Sequence, residues 1–339
     1  MSPKISIIVI NYNTEHFLKT CLESLQKQTY KNKEIIIIDN NSQDNSCTYI
    51  QKEWSNTATI ICNPDNKGYS GAANQGINIA KGEYIMLLGP DIQYEKDYIE
   101  KSIKKMEEDK KIGVIGGKLK KYDYKKGEKT NKIDSVGIFS YRNRRIIDLG
   151  QGEEDTGQFN KETEVFGVSG ASPIYRKTAL EEIKLPPPYN EYLDNDFFMY
   201  KEDIDISWRL RLKGWKAYYI PEAVAYHGRG TGTLNKFTHT AVFKNRSHLS
   251  KFQKYFAYRN QRLMQIKNEF IKSYLHNFFP ILWKEILITG YIIFFEPHLI
   301  KATFSILKLT PKMLKKRRHI MKNATIDWRE IEKWFKTTQ

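Results

Sequence analysis

The stretch KISIIVINYN, residues 4–13, decides the architecture. Its centre, ISIIVI at 5–10, is an almost unbroken β-branched run without polar alternation. Such a strand is buried on both faces, the situation of a parallel strand covered by helices. The run ends abruptly at Asn11-Tyr12-Asn13, so the strand delivers polar groups at its carboxyl end.

The pattern repeats outward from there. Residues 14–28 have helical spacing through Phe17, Leu18, Cys21, Leu22 and Leu25. EIIIID at 34–39 is a second buried strand, 46–53 a helix, and TIIC at 59–62 a third strand. A helix of small residues at 70–80 carries Ala72, Ala73, Ile77 and Ala80, and EYIMLL at 83–88 is a fourth strand. Strands alternating with helices predict an α/β fold with a mostly parallel sheet and flanking helices. Ligands of such sheets bind at the carboxyl ends of the strands. From 116 to 167 the pattern weakens: 118–132 is basic and reads as an exposed hairpin or loop, and 151–164 is acidic and turn-rich. Order returns with a strand at 164–168 and a helix near 177–183. A loop at 184–196, a helix at 204–213, a strand at 215–220 and a short stretch at 224–227 follow.

The 339 residues carry a formal net charge of +16, which favours an anionic partner: nucleic acid, a nucleotide diphosphate or an anionic membrane. With 40% hydrophobic residues the chain can bury a full core. Cys21, Cys47 and Cys62 are isolated, so neither a disulfide nor a zinc framework is expected. The N-terminus lacks the pattern of a signal peptide. No uninterrupted apolar run reaches the length of a spanning helix, which places the chain in the cytoplasm. No internal repeat is evident.

Four polar clusters follow the four strands: Asn11-Tyr12-Asn13, Asp39 to Asp44, Asn66 to Gly71, and Gly89-Pro90-Asp91. One such cluster is explained by turn formation. Four at one sheet edge make a convergent pocket. A carboxylate such as Asp39 can accept the imide N–H of uracil or thymine, and Asn side chains both donate and accept. Gly68 and Gly71 allow close ligand approach before a helix whose N-terminus favours phosphate. Asp91 is a helix cap or a ligand for Mg²⁺ or Mn²⁺, with His227 as the candidate second ligand. Residues 200–211, YKEDIDISWRLR, place Glu202, Asp203 and Asp205 in a first helical turn, where capping alone would explain them. Yet adjacent carboxylates repel and raise one another's proton affinity, which suits a general base. Arg209 stands at i+4 from Asp205 and can pair with it.

Together these segments resemble glycosyltransferase family 2, the inverting enzymes of GT-A fold, and most of all its bacterial rhamnosyltransferase-like branch. The matching segments are ISIIVINYN, EIIIIDNNSQD, NPDNKGYSGAANQGI, EYIMLLGPD, VFGVSGASPIYRK, FMYKEDIDISWRLRLKGWK and AVAYHGRGTG, over roughly residues 4–235. The resemblance implies a catalytic domain at 1–248, with a nucleotide-binding half at about 1–115 and an acceptor half at 116–248. Asn11, Tyr12, Asn13, Asp39, Asn41, Asn66, Gly68, Gly71 and Asn74 would bind the nucleotide. Asp91 and His227 would hold a divalent metal. Asp203, beside Glu202, would be the catalytic base, and Gly170, Ala171 and Trp208 would line the acceptor side. The family's metal motif is Asp-x-Asp or Asn-Pro-Asp, whereas Gly89 here leaves Asp91 as its sole ligand. The implied reaction transfers rhamnose or a similar hexose from a dTDP- or UDP-sugar to a cell-surface glycan or lipid-linked saccharide. The alternative is a catalytically weak scaffold of the same fold.

After residue 249 the composition turns aromatic, apolar and basic. Residues 276–310 read as two or three apolar helices broken by Pro280 and Pro297, followed by KMLKKRR at 312–318. This composition predicts a helical extension lying on an anionic membrane surface, hence a peripheral enzyme on the cytoplasmic face. Nucleic acid is a weak alternative, since the basic residues are dispersed or lie in the tail and no recognition signature occurs.

Overall fold

The computed structural model describes residues 4–228, Arg246 and residues 249–336. The second half of the AVAYHGRGTG segment, from Arg229 on, lies outside the described residues. The β-branched runs form β1 (Ile5–Asn11), β2 (Lys33–Asp39), β3 (Thr59–Cys62) and β4 (Tyr84–Leu88). Between them lie α1 (Glu15–Gln26), α2 (Ser46–Trp54) and α3 (Gly68–Ile79), as their spacing predicts. β5 (Ile92–Tyr94) and α4 (Tyr98–Glu108) follow. β6 (Ile112–Asp123) and β7 (Glu128–Ser135) form the hairpin expected over 118–132. Then come β8 (Ile138–Tyr141), β9 (Ile146–Asp148), β10 (Thr163–Val165), β11 (Ile174–Arg176) and α5 (Lys177–Ile183). α6 (Glu202–Leu212) precedes β12 (Lys216–His227), which joins two expected strands through a register shift between Ile220 and Val224.

The main sheet runs β3-β2-β1-β4-β11-β6-β12-β10, with β5 on β12 and β7 on β6. β3, β2, β1 and β4 are parallel, and β11 inserts antiparallel between β4 and β6. One apolar layer packs Leu18, Leu22, Ile50, Tyr98 and Ile99 on one face of this sheet. A second packs Ala72, Ala73, Ile77, Leu180 and Leu210 on the other. Burial on both faces is why these strands read as continuous apolar runs. Cys47 and Cys62 form a disulfide between α2 and the end of β3, correcting the expectation of none. The two residues are brought together because β3 returns directly beneath α2, which their spacing alone does not reveal.

The C-terminal part contains α7 (Lys251–Asn268), α8 (Ile271–His276), α9 (Phe278–Phe295), α10 (Ile300–Lys322), α11 (Trp328–Glu332) and β13 (Phe335–Lys336). Pro280 sits in the first turn of α9 and does not break it, because the amide it lacks is unused there. Pro297 does separate α9 from α10. The extension is no separate appendage. Leu263, Met264, Ile306, Met313, Ile320 and Phe335 share a core with Phe166, Phe197, Ile204 and Trp208. β13 pairs with β8 in a second sheet of order β13-β8-β9. α9 is by length and composition long and apolar enough to cross a membrane, contrary to the expectation from uninterrupted runs, since Lys284 and Glu285 interrupt its sequence. Within the basic cluster, Lys316 is fully buried and pairs with Glu191, Asp194 and Asp196, so that charge is spent on the core and not on a surface.

Candidate active site

Strand register brings the four polar clusters to one edge. Asn11 lies level with Asp39, Asp39 with Cys62, and Val9 with Leu88, so the residues after each strand emerge side by side. Asn11 is buried and donates from Nδ2 to Asp39 Oδ2 at 2.7 Å and to Ser42 Oγ at 3.0 Å. Ser42 N donates to the other Asp39 oxygen at 3.0 Å. The Asp39 side chain is 1% exposed, so its first task is to join the loops after β1 and β2. Each of its oxygens retains a second lone pair for a base N–H. Asn13 and Asn41 both take a left-handed backbone, with φ of 53° and 67°. That conformation suits asparagine. Tyr12, 46% exposed, stands at the mouth.

Asn40 is the hub that the sequence reading passes over. It is 2% exposed and donates to Asn66 Oδ1 at 2.8 Å and to the Gly68 carbonyl at 3.2 Å. It accepts from Asn63 Nδ2 at 3.0 Å and from the Lys67 amide at 3.1 Å. Its place in the polar run from Asp39 to Ser46, directly after a buried strand, is the available signal. Asn66 in turn accepts from the Gly68 amide at 2.8 Å. Gly68 has φ of +69°, and a Cβ there would stand 2.4 Å from the Phe198 carbonyl. Gly71 is likewise closed, by Lys67 Cβ at 2.9 Å.

Asp91 and His227 meet, as the sequence reading expects, with Nε2 to Oδ2 at 3.2 Å. The other imidazole nitrogen faces Asp134 Oδ2 at 2.8 Å. Asp134, on β7 and fully buried, is a partner that sequence reasoning misses. Burial opposes charge on His227, but Asp91 and then Asp134 outweigh it and push its pKa up to about 10. Burial likewise opposes ionisation of Asp91, and His227 outweighs it and holds that carboxyl below its ordinary range. A Cβ at Gly89 would approach Asp91 Oδ1 to 3.1 Å, so glycine leaves this oxygen uncrowded. Among the described residues no group of three or more His, Cys, Asp or Glu side chains could hold a metal. Asp91 and His227 nevertheless suit Mg²⁺ or Mn²⁺, which takes few protein ligands when phosphate oxygens supply the rest.

Glu202 and Asp203 open α6, which follows a strained turn. Phe198, Tyr200 and Lys201 have φ of 66°, 69° and 72°. Such non-glycine residues cost about 1–3 kcal/mol each and persist only where their surroundings enforce them. Asp203 Oδ2 accepts from the Gly170 amide at 3.0 Å, and Oδ1 from the Ile204 amide at 2.9 Å. Burial first, and the charge of Asp148 next, raise the Asp203 pKa. Burial first, and Asp203 next, raise that of Glu202, whose Oε2 has no hydrogen-bond partner among the described residues. The Tyr69 hydroxyl is likewise buried without a hydrogen-bond partner among the described residues. Its pKa is raised by burial, then by Glu202, Asp203 and Asp91.

Two expected site residues are placed elsewhere. Asn74 spends its amide on the 192–195 loop, donating to Leu193 O at 2.7 Å and Asn195 Oδ1 at 2.9 Å. Its oxygen accepts from the Tyr192 and Leu193 amides at 2.9 and 3.0 Å. It faces that loop because it lies nearly two turns beyond Gly68 on α3. Trp208 is 1% exposed in the core, edge-on to Phe166 and Phe335, and does not line an acceptor surface. Ala171 is half-buried against the sheet beside Gly170.

Comparison with known proteins identifies the family and the fold. The profile of Glycosyl transferase family 2 matches residues 6–184, just over half of the chain. Poly-beta-1,6-N-acetyl-D-glucosamine synthase of Staphylococcus aureus (strain COL) is 28% identical over 223 residues, 66% of this chain and 49% of that protein. The chain thus spans about half the length of that relative. Glycosyltransferase GlyG of Streptococcus pneumoniae serotype 4 is 36% identical over 130 residues, 38% of this chain and 42% of that protein. Among solved structures, S. aureus TarS 1-349 superposes with a TM-score of 0.53 at 15% identity, covering 97% of this chain and 90% of that one. GalNAc-T7 with UDP, GalNAc and Mn²⁺ gives 0.52 at 14% identity, covering 78% of this chain and 51% of that one. Both have the fold described above, which is the GT-A fold. The chain belongs to glycosyl transferase family 2.

Proposed function

We propose that this chain is an inverting glycosyltransferase that moves a hexose from a UDP- or dTDP-sugar to a glycan or lipid-linked saccharide at a membrane surface. The observation that carries the reading is the strand register that aligns the ends of β1, β2 and β3, together with the turn just before Glu202 and Asp203, whose Phe198 carbonyl packs on Gly68 and accepts from the Ser70 amide. The loops organised by Asp39 and Asn40 receive the pyrimidine and ribose. Asp91 and His227 would hold a divalent ion, which would supply positive charge to the diphosphate when bound. Asp203, its carboxylate held by Gly170, takes the proton of an acceptor hydroxyl. That oxygen forms a bond to the anomeric carbon as the carbon–oxygen bond to the diphosphate breaks on the opposite face. The nucleoside diphosphate leaves with the bonding electrons, and the configuration inverts.

The name of the S. aureus relative, a poly-N-acetylglucosamine synthase, supports a saccharide acceptor. The exposed apolar side chains of α9 support a membrane setting. The test is a thermal-shift screen of UDP- and dTDP-sugars with and without Mn²⁺, followed by turnover of the sugar that stabilises most. Stabilisation by one sugar class, enhanced by Mn²⁺, is expected. No shift with any of them would overturn the reading.

A further inference from the structure

We propose that Asn260, in α7 and outside the family-matched residues 6–184, is a positioning residue for the catalytic helix. It works by fixing the strained turn at 197–201. The role assigned to Asp203 rests on the function proposed above; the hold on the turn does not.

The turn is the short connection between the 195–197 helical turn and α6, and it carries left-handed Phe198, Tyr200 and Lys201. Phenylalanine and tyrosine do not adopt that backbone without enforcement. The enforcement comes from α7. Asn260 is fully buried, and its Nδ2 donates to the carbonyls of Phe197 at 2.9 Å, Met199 at 2.9 Å and Tyr200 at 2.8 Å. An amide has two hydrogens, so one is shared between two carbonyls. The neighbouring Arg259 donates to the Asp196 carbonyl and, at 3.2 Å, to that of Phe197. The remaining carbonyl, of Phe198, accepts from the Ser70 amide at 3.1 Å. Every carbonyl from 196 to 200 thus has a donor outside the turn, four of them on α7 and one on the nucleotide loop.

The consequence is mechanical. The Phe198 carbonyl is pressed against Gly68, where no Cβ fits, and the Phe198 ring stacks on Phe256 of α7 at 5.5 Å. Directly after the turn come Glu202 and Asp203. Asn268, at the end of α7, donates to Asp205 Oδ1 at 2.7 Å, and Lys267 pairs with Asp205 and Asp194. The start of α6 is therefore gripped by α7 on one side and the nucleotide loop on the other. Loss of the Asn260 donors frees carbonyls whose geometry is unfavourable without them. The turn relaxes, and Asp203 leaves the position defined by Gly170. Asn260 itself donates only to the turn, so donor binding is expected to change less than turnover.

The test compares Asn260→Ala with Met264→Ala in the full chain. Met264 is buried one turn further along the same helix, in the core that holds Phe197 and Ile204, and its side chain has no hydrogen-bond donor, so its loss removes packing without removing a donor to the turn. Amide exchange over 197–205 is expected to accelerate at least tenfold in Asn260→Ala and to stay near wild type in Met264→Ala. With the sugar nucleotide selected in the thermal-shift screen, kcat should fall tenfold or more in Asn260→Ala while donor KM changes less than threefold. If Asn260→Ala does not fold, Asn260→Ser, which keeps one donor, is read in the same way. Unchanged exchange over 197–205, or equal kcat losses in the Asn260 and Met264 variants, would overturn the proposal. A wild-type chain that turns over no sugar nucleotide would defeat the proposed function instead, and the exchange comparison would still decide the grip.

Discussion

The backbone amide of Gly170 donates to Asp203 Oδ2 at 3.0 Å, and a Cβ at position 170 would stand 3.0 Å from the Asp203 Cβ. The glycine thus does two things: it supplies a fixed donor, and it leaves no room for a side chain between the β10–β11 loop and α6. The donor favours the ionised carboxylate, whereas burial disfavours it. A carboxylate assembled this way is held by backbone, and in the proposed reaction it needs no side-chain partner that could compete for the substrate proton.

Gly170→Ala should therefore displace Asp203 without touching the nucleotide loops. A shift near 1 Å at a reacting group costs on the order of 100-fold in rate. The expected result is a kcat reduced about 10- to 100-fold, with UDP or dTDP affinity unchanged by titration calorimetry. An unchanged kcat would mean that Asp203 does not need this placement.

The pH dependence follows from the same carboxylate. Asp203 has a raised pKa, so the base form is lost as pH falls, and at higher pH than for an ordinary aspartate. The acid limb of kcat/KM should lie above the usual carboxylate range and vanish in Asp203→Asn, whose rate should drop about 10²- to 10⁴-fold. Asp148→Asn removes the charge that, after burial, does most to raise Asp203. Its acid limb should move to lower pH, and a profile identical to wild type would refute that coupling.

Asp134 should matter through His227. The contact from Asp134 Oδ2 to the imidazole at 2.8 Å fixes the ring and leaves the other nitrogen toward Asp91. Carboxylates in this relation to a ligand histidine are worth about 10- to 100-fold in metal affinity. Asp134→Asn should weaken Mn²⁺ binding by about that factor, measured by calorimetry in the presence of UDP. Metal requires the neutral ring, and the pKa of His227 stands near 10 without it. Wild-type Mn²⁺ affinity should accordingly rise with pH through the neutral range, with proton release on binding. PH-independent affinity would place the ion elsewhere.

Much of this site could be read from sequence, for a definite physical reason. Strands buried on both faces produce apolar runs such as ISIIVI, and where a run stops the chain has left the sheet. Asp39, Asp91 and Asp203 were legible because each follows such a punctuation or opens a helix. The unread part depends on long-range partners. Asp134 and His227 are 93 residues apart, and Lys316 meets Asp194 across 122. Nothing local to the KMLKKRR segment distinguishes Lys316, which enters the core, from Lys315, which is exposed. Asn74 was misread for a related reason: a polar side chain on an amphipathic helix states that it has a partner, not which one. β11 has three residues, IYR, and its antiparallel place between β4 and β6 left no period to detect.

The tail poses the remaining question, and its integration into the core changes how membrane attachment must be tested. Deleting residues 275–339 would remove Lys316 and leave Asp194 buried without one of its two lysines. Breaking a buried ion pair costs about 3–5 kcal/mol, and loss of Met313 and Ile320 from the shared core adds to it. Such a truncation is expected to unfold rather than to float free. Attachment should instead be probed on α9, where Phe279, Trp283 and Phe294 are 79%, 64% and 79% exposed. Each aromatic buried in a lipid interface contributes about 1.5–3 kcal/mol, so Phe279→Ser, Trp283→Ser and Phe294→Ser together should lower partition onto anionic vesicles well beyond tenfold. These side chains face away from the core, so thermal stability in vesicle-free buffer should stay near wild type. Equal sedimentation of the triple variant and wild type with vesicles would show that α9 is not the lipid contact.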